Sequence, residues 1–348
     1  MKRYFYFLLV LTLALAFLAG CEAAPTETEP KDEPAEKEEP AEEEIVLSAA
    51  GFLDQDNLMS RYIFELDEYV QESTDGRISI EWTGGPEAIP GHEQPDAVRE
   101  GVVDIAMVSA SYYKDQEPIM SGMNLSPYSP TEEREKGIHD FFAEKHENVG
   151  LHYVGRGENN IEVPTYFWSK EKYDSPKDME GEPFRSDPRV DMVLEALNLD
   201  PVIIDMTEVY PALERGVVVG GSHPTIIVTP MGLHEMYDYA YEPPFMYSAT
   251  VLIMNPDTYN EMPEDLQEQF DEAVQKAEQE YLEQTFVEEY NKFMDPFLEE
   301  GGEIVEWTGE DADWYIETAR GALWEEVEEE DPEATQELME LYGVEDDY

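Results

Sequence analysis

The chain has 348 residues and carries 82 Asp plus Glu against 21 Lys plus Arg, a formal net charge of −61. That balance excludes a nucleic-acid binder, which needs clustered Lys and Arg against phosphate, and it excludes docking on anionic lipid by charge. It does not exclude a folded body, because hydrophobic residues make up 41% and aromatics 11%, enough for a sizeable core in a chain long enough for two lobes.

The acid is spread along the whole chain, which reads as a surface solvated for high salt, a halophilic trait. At the start, Lys2 and Arg3 precede an apolar run from Tyr4 to Leu18. A membrane span needs about 20 such residues, so the run is short for one and reads as a signal peptide over 1–20. It closes on Leu18-Ala19-Gly20-Cys21, similar to a bacterial lipobox, and Cys21 is the single cysteine. No intramolecular disulfide is then available. Acyl chains on Cys21 would tether the protein to a membrane surface without spanning it. Residues 21–44 are rich in Glu, Pro, Ala and Thr without hydrophobic periodicity, the composition of a disordered, self-repelling stalk. These features predict an extracytoplasmic protein, lipid-anchored to the cell membrane, at the cell surface or in a periplasm.

From Ile45 the pattern alternates. Ile45–Ala49 reads as a strand and Asp54–Glu72 as a helix with Leu58, Tyr62, Leu66, Tyr69 and Val70 at helical spacing. The turn Thr74-Asp75-Gly76 leads into a strand, Arg77–Trp82, then a loop over 84–87 and a short helix through Ala97 and Val98. Val102–Val108 reads as a buried strand. Ser129-Pro130-Thr131-Glu132 is a capping box with Pro at the first helical position, opening a helix to about Lys145. Strands are expected near Leu151–Val154, Glu162–Trp168 and Pro183–Arg185. A helix Pro188–Leu197, a strand Val202–Ile204 and a helix Glu208–Arg215 stopped by Gly216 come next. Ser248–Met254 is another strand, and a long charged helix runs from Pro263 to about Phe297. The alternation predicts α/β architecture with helix-covered sheets and no internal repeat.

Taken in order, several of these pieces carry a family resemblance. They are TDGRISI over residues 74–80, REGVVDIA over 99–106, KDMEGEPFR over 177–185, EVYPALERGVV over 208–218, and LIMN over 252–255 followed by MPEDLQ over 262–267. Together they resemble the solute-binding proteins of TRAP transporters, DctP type. The resemblance implies a two-lobed, periplasmic-binding-protein-like fold with a hinge and a long lobe-spanning helix. One lobe would comprise 45–162 plus 249–288 and the other 163–248 plus 289–348. It further implies a ligand held between the lobes and delivered to the membrane subunits of an ion-gradient-driven transporter.

The resemblance also implies that Arg185 clamps a ligand carboxylate, a role suited to the planar fork of a guanidinium. Arg185 ends an expected strand, where α/β clefts gather ligand-binding residues. The plain alternative is a surface ion pair. The run Gly216–Pro224 departs from the family's usual continuation, with Val219 for an Asp, Ser222 for a Glu and His223 at the polar position that reaches the ligand. A histidine there can donate to a carboxylate or keto oxygen, and its alternative is a loop histidine without a ligand role. Met206 and Glu208 flank the same cleft by family position. Glu208 is read as orienting backbone or the arginine, since it would repel an anion. Ser109 and Tyr112 follow the strand over 102–108 at positions where the family contacts ligand. Phe52, Trp82, Tyr166 and Trp168 are cleft aromatics or core, with Trp168 retained as a site candidate. No second Arg stands near Thr165, and Pro183 replaces the Trp of ectoine-binding members. The expected ligand is therefore a small mono- or dicarboxylate, with 2-oxo and 2-hydroxy acids as candidates.

An enzyme is not expected. There is no G-x-S-x-G elbow and no H-E-x-x-H, and the six histidines show no metal-ligand spacing, so neither cofactor nor metal is predicted. A structural or adhesive surface lipoprotein is the alternative to solute binding, ahead of a secreted hydrolase.

Overall fold

The alternation of apolar runs and turns from Ile45 onward produces two sheets. The structure is a computed structural model that describes residues 44–186 and 190–344, with Thr207 described by its backbone alone. The expected signal peptide, Cys21 and stalk up to residue 43, and the start of the expected helix at Pro188, lie outside the described residues.

Eleven strands occur among the described residues. In chain order they are β1 (Ile45–Gly51), β2 (Ile78–Gly84), β3 (Ile105–Ser109), β4 (His152–Arg156), β5 (Pro164–Ser169), β6 (Pro183–Ser186), β7 (Asp200–Ile203), β8 (Gly220–Pro224), β9 (Tyr239–Tyr247), β10 (Thr250–Met254) and β11 (Glu303–Glu306). The first sheet has the order β2-β1-β3-β10-β4 and the second β11-β9-β5-β8-β6-β7. In the first, β1 is parallel to β2 and β3, while β10 runs antiparallel to β3 and β4. This is a mixed α/β, two-lobed arrangement, as the alternation and the resemblance led one to expect.

The helix Leu58–Ser73 shows how sequence sets packing. Asn57 caps it by accepting from the Met59 amide, and Leu58, Tyr62, Leu66 and Val70 fall four residues apart on the buried face. They meet Leu47 and Leu252 of the first sheet and Phe270 of the helix Glu264–Ala277 in one core. A second core continues from the other face of the first sheet, through Val108 and Phe142, to Phe167 and Phe184 on the second and Tyr315 of the helix Glu310–Glu330. A third, smaller core gathers Trp168, Leu213 and Phe297 against the opposite face of the second sheet.

The chain passes between the sheets three times: over residues 157–163, at Ser248 and Ala249, and along the rod that starts at Glu264. The first two passages are bonded together. The Gly157 amide donates to the Thr250 carbonyl at 2.9 Å, the Ser248 amide to the Val163 carbonyl at 3.0 Å, and the Thr250 amide to the buried carboxylate of Glu158 at 2.8 Å.

Several elements differ from expectation. The helix expected over 129–145 keeps its capping box but divides into Pro130–Glu135 and Ile138–Asn148, because Gly137 has φ +78°. The strand expected from Val102 begins at Ile105: Gly101 turns the chain with φ +70° and leaves Val102 63% exposed. The long helix is segmented. It is α-helical over Glu264–Ala277, π-helical over Glu278–Phe286, and helical again over Val287–Tyr290 and Asp295–Glu299. The final helices, Glu310–Glu330 and Pro332–Tyr342, return toward the first sheet, where the Tyr342 hydroxyl donates to the Gly122 carbonyl at 3.2 Å and Lys114 pairs with Glu326 at 2.9 Å. Among the described residues no helix is long and apolar enough to cross a membrane.

Candidate functional site

Strands β6 and β8 run parallel with Arg185 opposite Gly221, and β5 lies antiparallel on the other side of β8 with Trp168 opposite Gly221 and Tyr166 opposite His223. Paired positions share a face, so Arg185, Trp168, Tyr166 and His223 stand on one side of the second sheet. Gly221 permits their approach. A Cβ on it would lie 2.8 Å from His223 Nε2 and 3.2 Å from both Arg185 Cβ and the Tyr237 hydroxyl.

Arg185 is 5% exposed, and its Nε donates to the Ile204 carbonyl at 3.1 Å, which fixes the guanidinium against the start of the segment after β7. His223 is 2% exposed, with Nε2 3.2 Å from the Tyr237 hydroxyl. Burial pushes the Tyr237 phenol well above its ordinary range, against the opposing pull of the Arg185 charge, so the phenol keeps its proton as a neutral hydrogen-bonding group. Trp168 is fully buried. Its indole N–H donates to the His223 carbonyl at 2.8 Å, and its ring packs on Phe297 at 5.1 Å and Tyr237 at 6.0 Å. It supports the site from within the third core.

The other face of β8 carries Ser222 into a narrow cavity of about 40 Å³. Ser109 and Asn124 reach this cavity from the first sheet's side, and Thr165, Val190 and Tyr247 from the second. The Ser222 hydroxyl is buried with no hydrogen-bond partner among the described residues, a state that costs about 1–3 kcal/mol unless a ligand or water atom completes it. Such a volume holds a few waters, far below the roughly 300 Å³ or more of an ordinary small-molecule pocket.

The expected residues thus separate. Arg185, His223 and Trp168 come together, and Ser109 lines the adjoining cavity. Tyr112 is 40% exposed and meets Phe52 edge-on at 5.9 Å beside Gly91. Met206 is half-buried against the third core, and Glu208 is exposed at the end of a short turn. Tyr237, Asn124 and Tyr247 were not legible as site residues, since each arrives through tertiary folding with no motif around it. The structure also brings His234, Glu235 and Glu300 together, with potential ligand atoms all within 4.8 Å, a grouping that spacing along the chain did not reveal. A larger groove of about 670 Å³ lies between the last two long helices, but Glu317, Glu325 and Glu328 line it and would repel an organic anion.

Residues 50–331 match the model of the bacterial extracellular solute-binding protein family 7, DctP. The chain belongs to this family. It is a family of solute receptors rather than of enzymes. The monocarboxylate 2-oxoacid-binding periplasmic protein of Nostoc is 24% identical over 225 residues, covering 60% of this chain and 59% of that protein's length. Two solved structures share the fold. One is an extracytoplasmic solute receptor of Bordetella pertussis that binds pyroglutamic acid, with a TM-score of 0.70 at 16% identity over 86% of this chain and 99% of the other. The other is a TRAP periplasmic solute-binding protein of Desulfovibrio salexigens with bound orotic acid, with a TM-score of 0.72 at 16% identity over 86% and 98%.

Proposed function

We propose that this protein is an extracytoplasmic receptor that captures a small carboxylate between its lobes and hands it to the membrane subunits of a TRAP-type transporter. The observation that carries the reading is the convergence of buried Arg185, His223 and Tyr237 on Gly221, with Ser222 on the other face of β8 lining a cavity with Ser109, its hydroxyl without a hydrogen-bond partner among the described residues. A carboxylate would pair with the guanidinium and accept from the neighbouring donors. Monocarboxylate, pyroglutamate and orotate binding by the relatives supports an acid of that size. The 40 Å³ cavity admits no such acid, so loading requires the lobes to move apart about the passages at 157–163, Ser248–Ala249 and the rod. We divide the lobes at those passages, with the Pro332–Tyr342 helix lying on the first. Cys21 serves as the lipid attachment site, holding the protein at the membrane through the stalk. In molar salt the Debye length is about 3 Å, so the surface acid does not repel the ligand at a distance, and affinity should vary weakly with salt there.

Calorimetry with pyruvate, pyroglutamate and orotate in 1–2 M NaCl tests this. Loss of a charge-assisted pair worth roughly 2–5 kcal/mol should weaken binding at least 30-fold in Arg185→Ala. Undiminished affinity in that variant refutes the assignment. Radiolabelled palmitate should enter the wild type and not Cys21→Ser.

A further inference from the structure

A further cavity, of about 300 Å³, lies between the first passage, the end of β9 and the rod. The first passage supplies Glu162, strand β9 supplies Glu242 and Tyr247 just before the second, the rod supplies Tyr290, and β5 supplies Tyr166. Its chemistry is opposite to that of the carboxylate site. No Lys or Arg lines it. Glu162 and Glu242 are half-buried and take part in none of the ion pairs among the described residues. Both carboxylates act on Tyr166: burial, then Glu242, then Glu162 hold its phenol proton above the ordinary range, which places negative potential at that ring. Tyr247 already has the Arg320 guanidinium 5.9 Å from its ring centre, whereas Tyr166 and Tyr290 hold no cation among the described residues.

We propose that this cavity binds a small organic cation of the alkylammonium class, held between the Glu162 and Glu242 carboxylates and the Tyr166 and Tyr290 rings. Two half-buried carboxylates supply the charge that a cation must find once it leaves water. Aromatic faces attract a diffuse, weakly hydrated cation through the ring quadrupole. The volume reaches the range of small-molecule pockets. A hard divalent ion is less suited, because calcium takes six to eight oxygens and much of this wall is Pro164, Pro244, Met294 and ring carbon. The site is independent of the carboxylate reading. Where both hold, a cation touching the first passage and the rod would be coupled to lobe movement, and each ligand would alter the other's affinity by the same factor.

The test is calorimetry of the exported chain with tetramethylammonium and choline at fixed ionic strength. Saturable binding is expected in the wild type and in Arg185→Ala. It should weaken at least tenfold in the double variant Glu162→Gln/Glu242→Gln and in Tyr166→Leu, and persist in Tyr166→Phe, which keeps the ring. Thermal midpoints near that of the wild type identify which variants remain folded. No saturable binding, equal affinity in the double variant, or displacement of choline by calcium at comparable concentration overturns the proposal. Choline binding without any carboxylate binding would sink the receptor reading and leave this one standing.

Discussion

The two sides of the molecule use buried polar groups differently. Around the first sheet, two buried carboxylates are answered by arginines. Arg156, 1% exposed, is held by Glu133 through Nε–Oε2 at 2.8 Å and Nη2–Oε1 at 2.6 Å, and Arg134 forks onto Glu278 in the π-helical stretch of the rod. On the second sheet, Arg185, His223 and Tyr237 gather around Gly221, while Ser222 opens from the other face of β8 into a cavity that Ser109 also lines. Burial of an arginine therefore does not by itself mark a site. The Arg156 guanidinium is closed by both oxygens of a carboxylate, whereas Arg185 stands at the carboxyl end of a parallel strand, where our proposal puts the ligand.

The largest expected effect breaks the architectural side. Arg156→Met leaves Glu133 buried without its counter-charge and should cost about 3–5 kcal/mol in urea unfolding. The double variant Arg156→Met/Glu133→Leu should recover much of that, since no charge then remains buried. Arg185→Ala should lose ligand, which Arg156→Met/Glu133→Leu should still bind. Loss of ligand in both variants would remove the contrast.

How far the sequence foretold this division depends on the residue. The strand that carries Arg185 was legible in KDMEGEPFR, and it forms with the expected start. Arg156 carried no such motif, and its partner Glu133 was one acid among 82 until folding brought it near. Strand β8 was missed because Gly-Gly-Ser-His-Pro lacks strand propensity and is ordered by neighbours on both sides. Strand β9 was missed because Pro243 and Pro244 interrupt its pattern. The break at Gly137 was hidden because a glycine in a helical pattern is punctuation only when the backbone takes positive φ.

The next effect concerns histidines on the first-sheet side. Burial lowers His139 and His152 to about 4 and His146 to about 3. In the unfolded chain each binds a proton near pH 6.5. The unfolded state therefore holds more protons below pH 6.5, and stability falls as pH drops from there toward the folded values. Each histidine adds a slope approaching about 1.4 kcal/mol per pH unit between pH 6 and 5. His152 stacks on Tyr259 at 3.8 Å, so His152→Phe keeps the ring contact and should remove about one histidine's share of the slope. An unchanged slope would show that His152 is not buried neutral.

The smallest effects compare two glycines and sharpen the same boundary. At Gly221 an added methyl meets His223, Arg185 and Tyr237 within 3.2 Å, and two of those contacts belong to tightly packed side chains. Gly221→Ala should cost roughly 1–3 kcal/mol by overpacking and weaken carboxylate binding along with it, because relief must come from the residues we propose to bind it. Gly321 lies inside the helix Glu310–Glu330, with nothing within 4 Å of an added Cβ. There Gly321→Ala should stabilise by about 0.5–1 kcal/mol through helix propensity and leave binding unchanged. The paired measurement separates local crowding from backbone entropy. If Gly221→Ala were neutral in both stability and binding, the three side chains would have room to give, and Gly221 would not be what holds them together.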